Sequence, residues 1–147
     1  MSYSAQYEQF VLKKYQHFTL FLHDDQHYLG RAYAWLVREG EMQRFSQLTR
    51  GELIELAMIA KEYEKVLEIL WHPDHMNYAW LGNFFHEHKG HGHMHFIPRY
   101  KLSRSYAGIT FTDGRWGRNY PGSPALKLEK GKLFAIRDAI IKEFAKK

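Results

Sequence analysis

Residues 91–99 read HGHMHFIPR, and this segment is the strongest structural signal in the sequence. Its alternation is typical of a β-strand, in which residues i, i+2 and i+4 point to the same face of a sheet. The side chains of His91, His93 and His95 should therefore form a row, with about 6–7 Å between neighbours. The residues between them should face the core, and Pro98 should end the ladder of hydrogen bonds.

Two kinds of chemistry fit such a row of imidazoles. One is a metal site, since histidine is a common zinc ligand. The other is a nucleophilic imidazole whose neighbours orient it and donate to an anion. The outer rings of a straight strand lie far apart for a tetrahedral site, although His86 or His88 could complete one. The structural alternative is a polar strand face, or histidines that are buried and hydrogen-bonded.

The segments before this stretch predict a hairpin and a long helix. Hydrophobic and polar residues alternate over 17–23 and residues 32–37 have the same period, so the pair predicts two antiparallel strands. Thr49 and Glu52 have the spacing of a capping box, in which each side chain binds the other residue's backbone amide. Apolar residues then recur at helical spacing as far as Leu70.

The remaining segments complete a single α+β domain over residues 1–147. Two further strands are predicted over 77–81 and 109–112. Apolar stripes predict an N-terminal helix within 1–15 and a C-terminal helix over 130–147. Residues 113–124 contain three glycines and two prolines, which predicts an irregular loop. The order of the elements favours an antiparallel sheet.

The composition excludes several classes of function. The 147 residues include no cysteine, which removes disulfides, thiolate metal sites and cysteine catalysis. The net charge of +5 favours anionic ligands, but the Lys and Arg residues are scattered, so nucleic acid is an unlikely partner. No stretch approaches the roughly 20 apolar residues that span a bilayer. We expect a cytoplasmic protein without a membrane partner.

The stretch over 91–99 resembles the signature of the histidine-triad (HIT) family, H-φ-H-φ-H-φ-φ, often continued by Pro-Arg. Further segments are similar to that family, namely QHYLGR (26–31), LTRGEL (48–53) and NYAWLGN (77–83). Residues 111–120, FTDGRWGRNY, and the last helix resemble bacterial members often labelled diadenosine tetraphosphate hydrolase-like. The resemblance covers roughly residues 16 to 145. It implies an α+β HIT-like fold with about five antiparallel strands, a long helix after the first hairpin and a C-terminal helix.

The resemblance also implies a chemistry. In the family the middle histidine attacks the α-phosphorus of a nucleotide, and the matching residue here is His93. By resemblance, His95 contacts the phosphate or the leaving-group oxygen, and His91 orders the site. The implied enzyme is a nucleotide hydrolase or nucleotidyl transferase that acts on dinucleoside polyphosphates or nucleoside phosphoramidates. It requires no cofactor, and any divalent cation would arrive with a polyphosphate substrate.

The same resemblance suggests the residues that bind substrate. Asn83 matches an amide donor to the α-phosphate, and His23 or Asp24 falls where relatives bind the ribose. Arg31 and Arg99 could attract phosphates or be structural, and three aromatic residues could stack a base or belong to the core: Phe18, Phe21 and Tyr28. We expect a homodimer by analogy. Alternatives are a nucleotide-binding or sensing protein with little turnover, and a histidine-rich metal-binding protein.

Overall fold

The computed structural model describes residues 5–39, 44–81, 92–120 and 125–146. In these residues a five-stranded antiparallel sheet has the order β1-β2-β3-β5-β4, and β6 pairs with β7 in a separate hairpin. The strands are β1 (Val11–Lys14), β2 (Phe18–Leu22), β3 (Ala32–Leu36), β4 (His75–Trp80), β5 (His93–Arg99), β6 (Arg104–Tyr106) and β7 (Ile109–Phe111). The helices are α1 (Ala5–Glu8), α2 (Arg50–Leu70) and α3 (Lys130–Phe144), with a 3₁₀ helix at Phe45–Gln47. The predicted α+β fold is confirmed.

The strand that carries the histidines lies inside the sheet, between β3 and β4. The prediction that Pro98 ends this strand is wrong, because β5 continues beside β4 as far as Arg99. The pairing of β3 with β5 stops at Phe96, so beyond that residue β5 is an edge on one side. Proline is tolerated at such an edge position.

The main core lies between one face of the sheet and the two long helices. Phe96 of β5 is buried, and its ring lies 6.0 Å from that of Tyr63 in α2. Ile140 of α3 is also fully buried. Because side chains alternate along a strand, His93 and His95 project from the opposite face, away from these helices.

The helix α2 begins with the predicted capping box. Thr49 Oγ1 accepts a hydrogen bond from the Glu52 amide at 3.2 Å, and Glu52 Oε1 accepts one from the Thr49 amide at 2.8 Å. The Glu52 carboxylate also accepts from Arg38 Nε at 2.9 Å and Nη2 at 3.0 Å. The hydrogen bonds from Arg38 lower the pKa of Glu52 to about 2, although burial opposes the shift. The start of α2 is thereby tied to the end of the first hairpin.

The predicted N-terminal helix within 1–15 is largely wrong. Among the described residues the helix covers only Ala5–Glu8, and Val11–Lys14 forms the edge strand β1. The backbone of this segment pairs with β2, and the Leu12 side chain is buried in the core. Apolar spacing over so few residues fits a helix or a strand, and the open edge of β2 decides between them.

The strand predicted at 109–112 is confirmed as β7, but its partner β6 was not recognised. The two strands are joined by Ala107 and Gly108, whose φ values are 52° and 78°. Positive φ at both central residues is typical of a tight two-residue hairpin turn. The local sequence reads Tyr-Ala-Gly-Ile. Glycine alone suggests a turn, but alanine is not typical of its first central position, so the sequence does not predict the turn clearly.

The C-terminal part agrees with the remaining predictions where it is described. Residues 113–120 contain no helix or strand, whereas 121–124 lie outside the described residues. The helix predicted over 130–147 is present as α3 and ends at Phe144. Within the described ranges, no helix combines the length and the hydrophobicity needed to cross a membrane.

Candidate active site

His93 and His95 lie side by side at the start of β5. Their ring centroids are 4.8 Å apart, and the ring planes are inclined by 66°. The strand register places Trp35 of β3 opposite His93 and Tyr33 opposite His95. The Trp35 ring stacks on the His93 ring, with centroids 5.6 Å apart and an angle of 18°. An aromatic neighbour therefore restricts the orientation of the His93 imidazole.

A cleft of about 210 Å³ opens onto this face of the sheet. It is lined by Tyr7, Phe10, Leu22, His23, Asp24, Tyr33, Trp35, His93 and His95. His93 and His95 are only 6% and 7% exposed, so a ligand reaches them by entering the cleft. Exclusion of water from such a site strengthens electrostatic interactions between the imidazoles and a bound anion.

The structure brings His23 and Asp24, the two residues predicted for the ribose contact, into the same cleft. The His23 ring lies 5.8 Å from the His95 ring. The Asp25 amide donates to His23 Nδ1 at 3.0 Å, and Asp24 Oδ1 lies 3.2 Å from the same nitrogen. The interaction with the His23 side chain lowers the pKa of Asp24, whose side chain is 80% exposed. An ionised carboxylate that can accept from hydroxyl groups therefore lies at the rim.

The aromatic residues that line the cleft differ from those considered in the sequence. Phe18, Phe21 and Tyr28 are almost fully buried and do not line it. The rings that do so are those of Tyr7, Phe10, Tyr33 and Trp35. Burial raises the pKa of Tyr33, with smaller effects from Tyr7 and Asp24, so its hydroxyl stays protonated. The register of β3 against β5 identifies Tyr33 and Trp35, and alternation alone does not reveal that register.

Arg99 is a structural arginine. Its Nε and Nη2 donate to Asp113 at 2.6 and 3.0 Å, and Nη1 donates to Asn77 Oδ1 at 2.8 Å. The backbone carbonyls of Arg115 and Arg118 accept two more hydrogen bonds, which matches the five N–H donors of a guanidinium. Burial alone would raise the pKa of Asp113, but hydrogen bonds from Arg99 and from backbone amides hold it below its usual value.

Arg31 also has structural neighbours. Its Nη1 donates to Asp25 Oδ2 at 3.4 Å, and its guanidinium lies 6.0 Å from the centre of the Tyr120 ring. Neither Arg31 nor Arg99 lines the cleft. Their positions therefore do not support the suggestion that these arginines attract phosphates. They support the structural alternative.

Two predicted site residues, His91 and Asn83, lie outside the described residues, as do His86 and His88. Their roles stay predictions from the sequence. Over residues 5–39, 44–81, 92–120 and 125–146, no group of three or more histidine, aspartate or glutamate side chains is arranged to hold a metal ion. The metal site suggested for His86, His88 and the triad depends on residues beyond these ranges.

Comparisons with known proteins agree on the fold. A histidine triad protein from Bradyrhizobium japonicum has a TM-score of 0.71 at 15% identity, with 97% of each chain covered. A histidine triad protein from Sinorhizobium meliloti has a TM-score of 0.68 at 13% identity and covers 96% of this chain and 95% of its own. The diadenosine triphosphate hydrolase from Plasmodium falciparum, in complex with cyclomarin A, has a TM-score of 0.52 at 16% identity, with 67% of each chain covered.

The sequence itself matches no protein-family model and no curated protein at a significant level. The structural likeness therefore establishes the fold alone. This chain has the fold of the histidine triad proteins, and the last two histidines of its HGHMH stretch lie in the cleft. The fold implied by the sequence resemblance is confirmed.

Proposed function

We propose that this protein is a nucleotide hydrolase or nucleotidyl transferase that cleaves its substrate at the α-phosphate. The observation that carries the proposal is the placement of His93 and His95, with rings 4.8 Å apart, in one cleft with His23 and Asp24. Attack at phosphorus needs a nucleophile, a donor to the developing charge and a means of holding the nucleoside. The sequence resemblance to the HIT family supports the same assignment.

In the proposed reaction a ring nitrogen of His93 attacks the α-phosphorus. A P–N bond forms, and the bond from phosphorus to the bridging atom of the leaving group breaks. The leaving group takes the electron pair and a proton, and His95 is the proposed donor to it or to the phosphate. Water or another acceptor then attacks the phosphorus, the P–N bond breaks and His93 is restored.

The cleft supports a nucleotide as the substrate class. Tyr7, Phe10 and Trp35 provide apolar rings that can contact a base, and Asp24 provides a carboxylate at the rim for ribose hydroxyls. One protein of similar fold is a diadenosine triphosphate hydrolase, which makes dinucleoside polyphosphates the first compounds to examine. Nucleoside phosphoramidates are the second class. No cofactor is proposed beyond a divalent cation that neutralises a polyphosphate chain.

We also propose a homodimer formed through the β4 side of the sheet. In the described residues β4 pairs only with β5, so its other edge is open to a second copy. Apolar side chains nearby are exposed, among them Phe45 and Leu53, which line a groove together with residues of β4 and β5. Sedimentation should give a dimer for the wild type and a monomer for Leu53→Glu combined with Phe45→Glu. Ile69→Glu, at the far end of α2, is the control that should stay dimeric.

The test of the mechanism is a rapid quench with substrates labelled in the α-phosphate. The label should appear on the protein, survive base better than acid and map to the peptide that contains residues 91–99. A label on serine or on a carboxylate would refute the histidine mechanism. If the adduct breaks down too fast to be detected, a substrate with a chiral α-phosphorus distinguishes the mechanisms. Two displacements give net retention of configuration at phosphorus, and net inversion means direct attack by water.

The alternatives have distinct outcomes in the same experiments. A binding or sensing protein would retain a mononucleotide without labelling or turnover. For the metal alternative, a chelator should lower the melting temperature, because binding of a structural metal contributes to the free energy of folding. We expect the chelator to leave the melting temperature unchanged.

A further inference from the structure

Gly92, the residue before the proposed nucleophile, faces the helix side of the sheet. Glycines with positive φ in the described residues are Gly30, Gly108 and Gly117, so a left-handed backbone is not the reason for glycine at position 92. A Cβ built on Gly92 would instead overlap the six-membered ring of Trp80. Glycine is required here because a tryptophan from the neighbouring strand occupies the space of its side chain.

The sheet register explains how Trp80 reaches this position. Trp80 of β4 lies opposite Met94 of β5, and Gly92 is the diagonal neighbour on the same face. A tryptophan side chain is long enough to cover such a diagonal position. The Phe45 ring meets Trp80 edge to face, with centroids 5.9 Å apart. Trp80 is therefore held between Phe45 and the backbone of β5.

The contact lies directly behind the proposed catalytic imidazole. Gly92 carbonyl oxygen accepts a hydrogen bond from the Leu36 amide at 3.2 Å, which joins β5 to β3 at this point. The residue before Leu36 is Trp35, whose ring stacks on His93. One tryptophan thus contacts the imidazole from the cleft side, and the other supports the backbone that carries it. A glycine without such support has more conformational freedom than any other residue.

We propose that Trp80 is a positioning residue for His93, acting through the backbone of Gly92. The inference rests on the proposed role of His93 as the nucleophile. Without the Trp80 ring, Gly92 can adopt other conformations, and the direction in which His93 projects into the cleft is no longer fixed. The expected signature is a loss of kcat with little change in KM, since Trp80 does not line the cleft.

Single and combined substitutions at positions 80 and 92 test this proposal. Trp80→Ala should lower kcat by roughly 10–100-fold, the effect of misplacing a reacting group by about 1 Å. Gly92→Ala should also be damaging in the wild-type background, because its Cβ meets the ring. In the Trp80→Ala background the same Gly92→Ala change should cost much less, because the space is then free. Equal costs in the two backgrounds would overturn the proposal.

Tyr78→Ala is the matched control. Tyr78 lies on the same face of β4, but its ring contacts Phe96, with centroids 5.3 Å apart, and is not against Gly92. Its loss should lower stability without the selective effect on kcat. If Trp80→Ala does not fold, Trp80→Leu shortens the side chain with less loss of volume and takes its place. An unchanged kcat in the folded variant contradicts the positioning role.

Hydrogen exchange provides a readout that is independent of activity. The Leu36 amide donates to Gly92, so its exchange should accelerate by about 10-fold in Trp80→Ala through local opening. Tyr78→Ala should leave the rate for this amide unchanged relative to its neighbours. If the wild type shows no turnover on any nucleotide, the proposed function fails. The exchange rate of the Leu36 amide then tests by itself whether Trp80 supports the backbone at Gly92. Unchanged exchange would then reject the inference.

Discussion

The two ends of β5 use the same face of the sheet in opposite ways. At the start of the strand, His93 and His95 open onto a cleft whose other walls are mainly aromatic. At the end of the strand, Arg99 is enclosed, with five hydrogen bonds to Asp113, Asn77 and two backbone carbonyls. Both ends are nearly inaccessible to solvent, so burial does not distinguish them. The surroundings do: the imidazoles border the cleft, whereas every guanidinium donor of Arg99 has a partner in the protein, although a second pocket lies beside it.

This difference shows why residue type alone is a poor guide to a phosphate site. A buried arginine next to a histidine motif suggests an anion site, yet the Arg99 guanidinium has a protein partner for every donor. Its role is to fix the loop over 113–120 against the end of the sheet. Substitutions at the two ends of β5 should therefore have opposite effects on activity and stability.

The largest effect is expected from His93→Ala. Turnover should fall below detection, because the proposed nucleophile is removed, while the melting temperature stays near that of the wild type because the side chain borders a cleft. Steady-state kinetics and thermal unfolding of the same preparation measure both quantities. Near-wild-type activity on the true substrate would remove His93 from the mechanism.

Arg99→Met should show the reverse pattern. The change leaves Asp113 buried without its partner, which should cost about 3–5 kcal/mol in the free energy of unfolding. Urea unfolding measures the loss, and kcat per folded molecule should be unchanged at a temperature where the variant is folded. Arg118→Ala is the control, because Arg118 bonds to Arg99 through its backbone carbonyl. A loss of kcat with normal stability would return Arg99 to the active site.

His95→Ala should have a smaller effect on catalysis than His93→Ala. Removing one donor to the transition state lowers kcat by roughly 10²–10³-fold. The covalent adduct on His93 should still form, but more slowly, and rapid quench measures that rate. An undiminished rate would show that the neighbouring imidazole, 4.8 Å away, takes no part in the reaction.

The sequence predicts the elements with strong local signals and fails where distant segments meet. Alternation identified β2, β3 and β5, and the spacing of Thr49 and Glu52 identified the start of α2. The strand β1 was mistaken for a helix because only its pairing with β2 makes it a strand. Tyr33 and Trp35 were not connected with the histidines because the register of β3 against β5 is a long-range property. The partners of Arg99 likewise come from β4 and from the loop over 113–120.

The smallest effect concerns a second arginine–carboxylate pair, which is more accessible than that at the end of β5. The Arg38 side chain is 45% exposed where it binds Glu52, whereas that of Arg99 is 6% exposed. Glu52→Gln retains a side chain that can complete the capping box but removes the charge. We expect a loss of about 0.5–1 kcal/mol in the free energy of unfolding at neutral pH, the scale of a partly screened ion pair.

The pH dependence of that loss follows from the pKa of Glu52. Its folded-state pKa of about 2 lies below the ordinary 4.5, so the stabilisation is present above pH 4.5 and is lost as the pH falls towards 2. The difference between wild type and Glu52→Gln should therefore shrink through this window, while the acid sensitivity due to Asp113 affects both proteins and cancels. Urea unfolding at a series of pH values measures the difference. A difference that stays constant down to pH 2 would mean that the glutamine side chain has disturbed the capping box. Arg38→Gln leaves Thr49 and Glu52 intact, so its loss in the free energy of unfolding would then differ from that of Glu52→Gln.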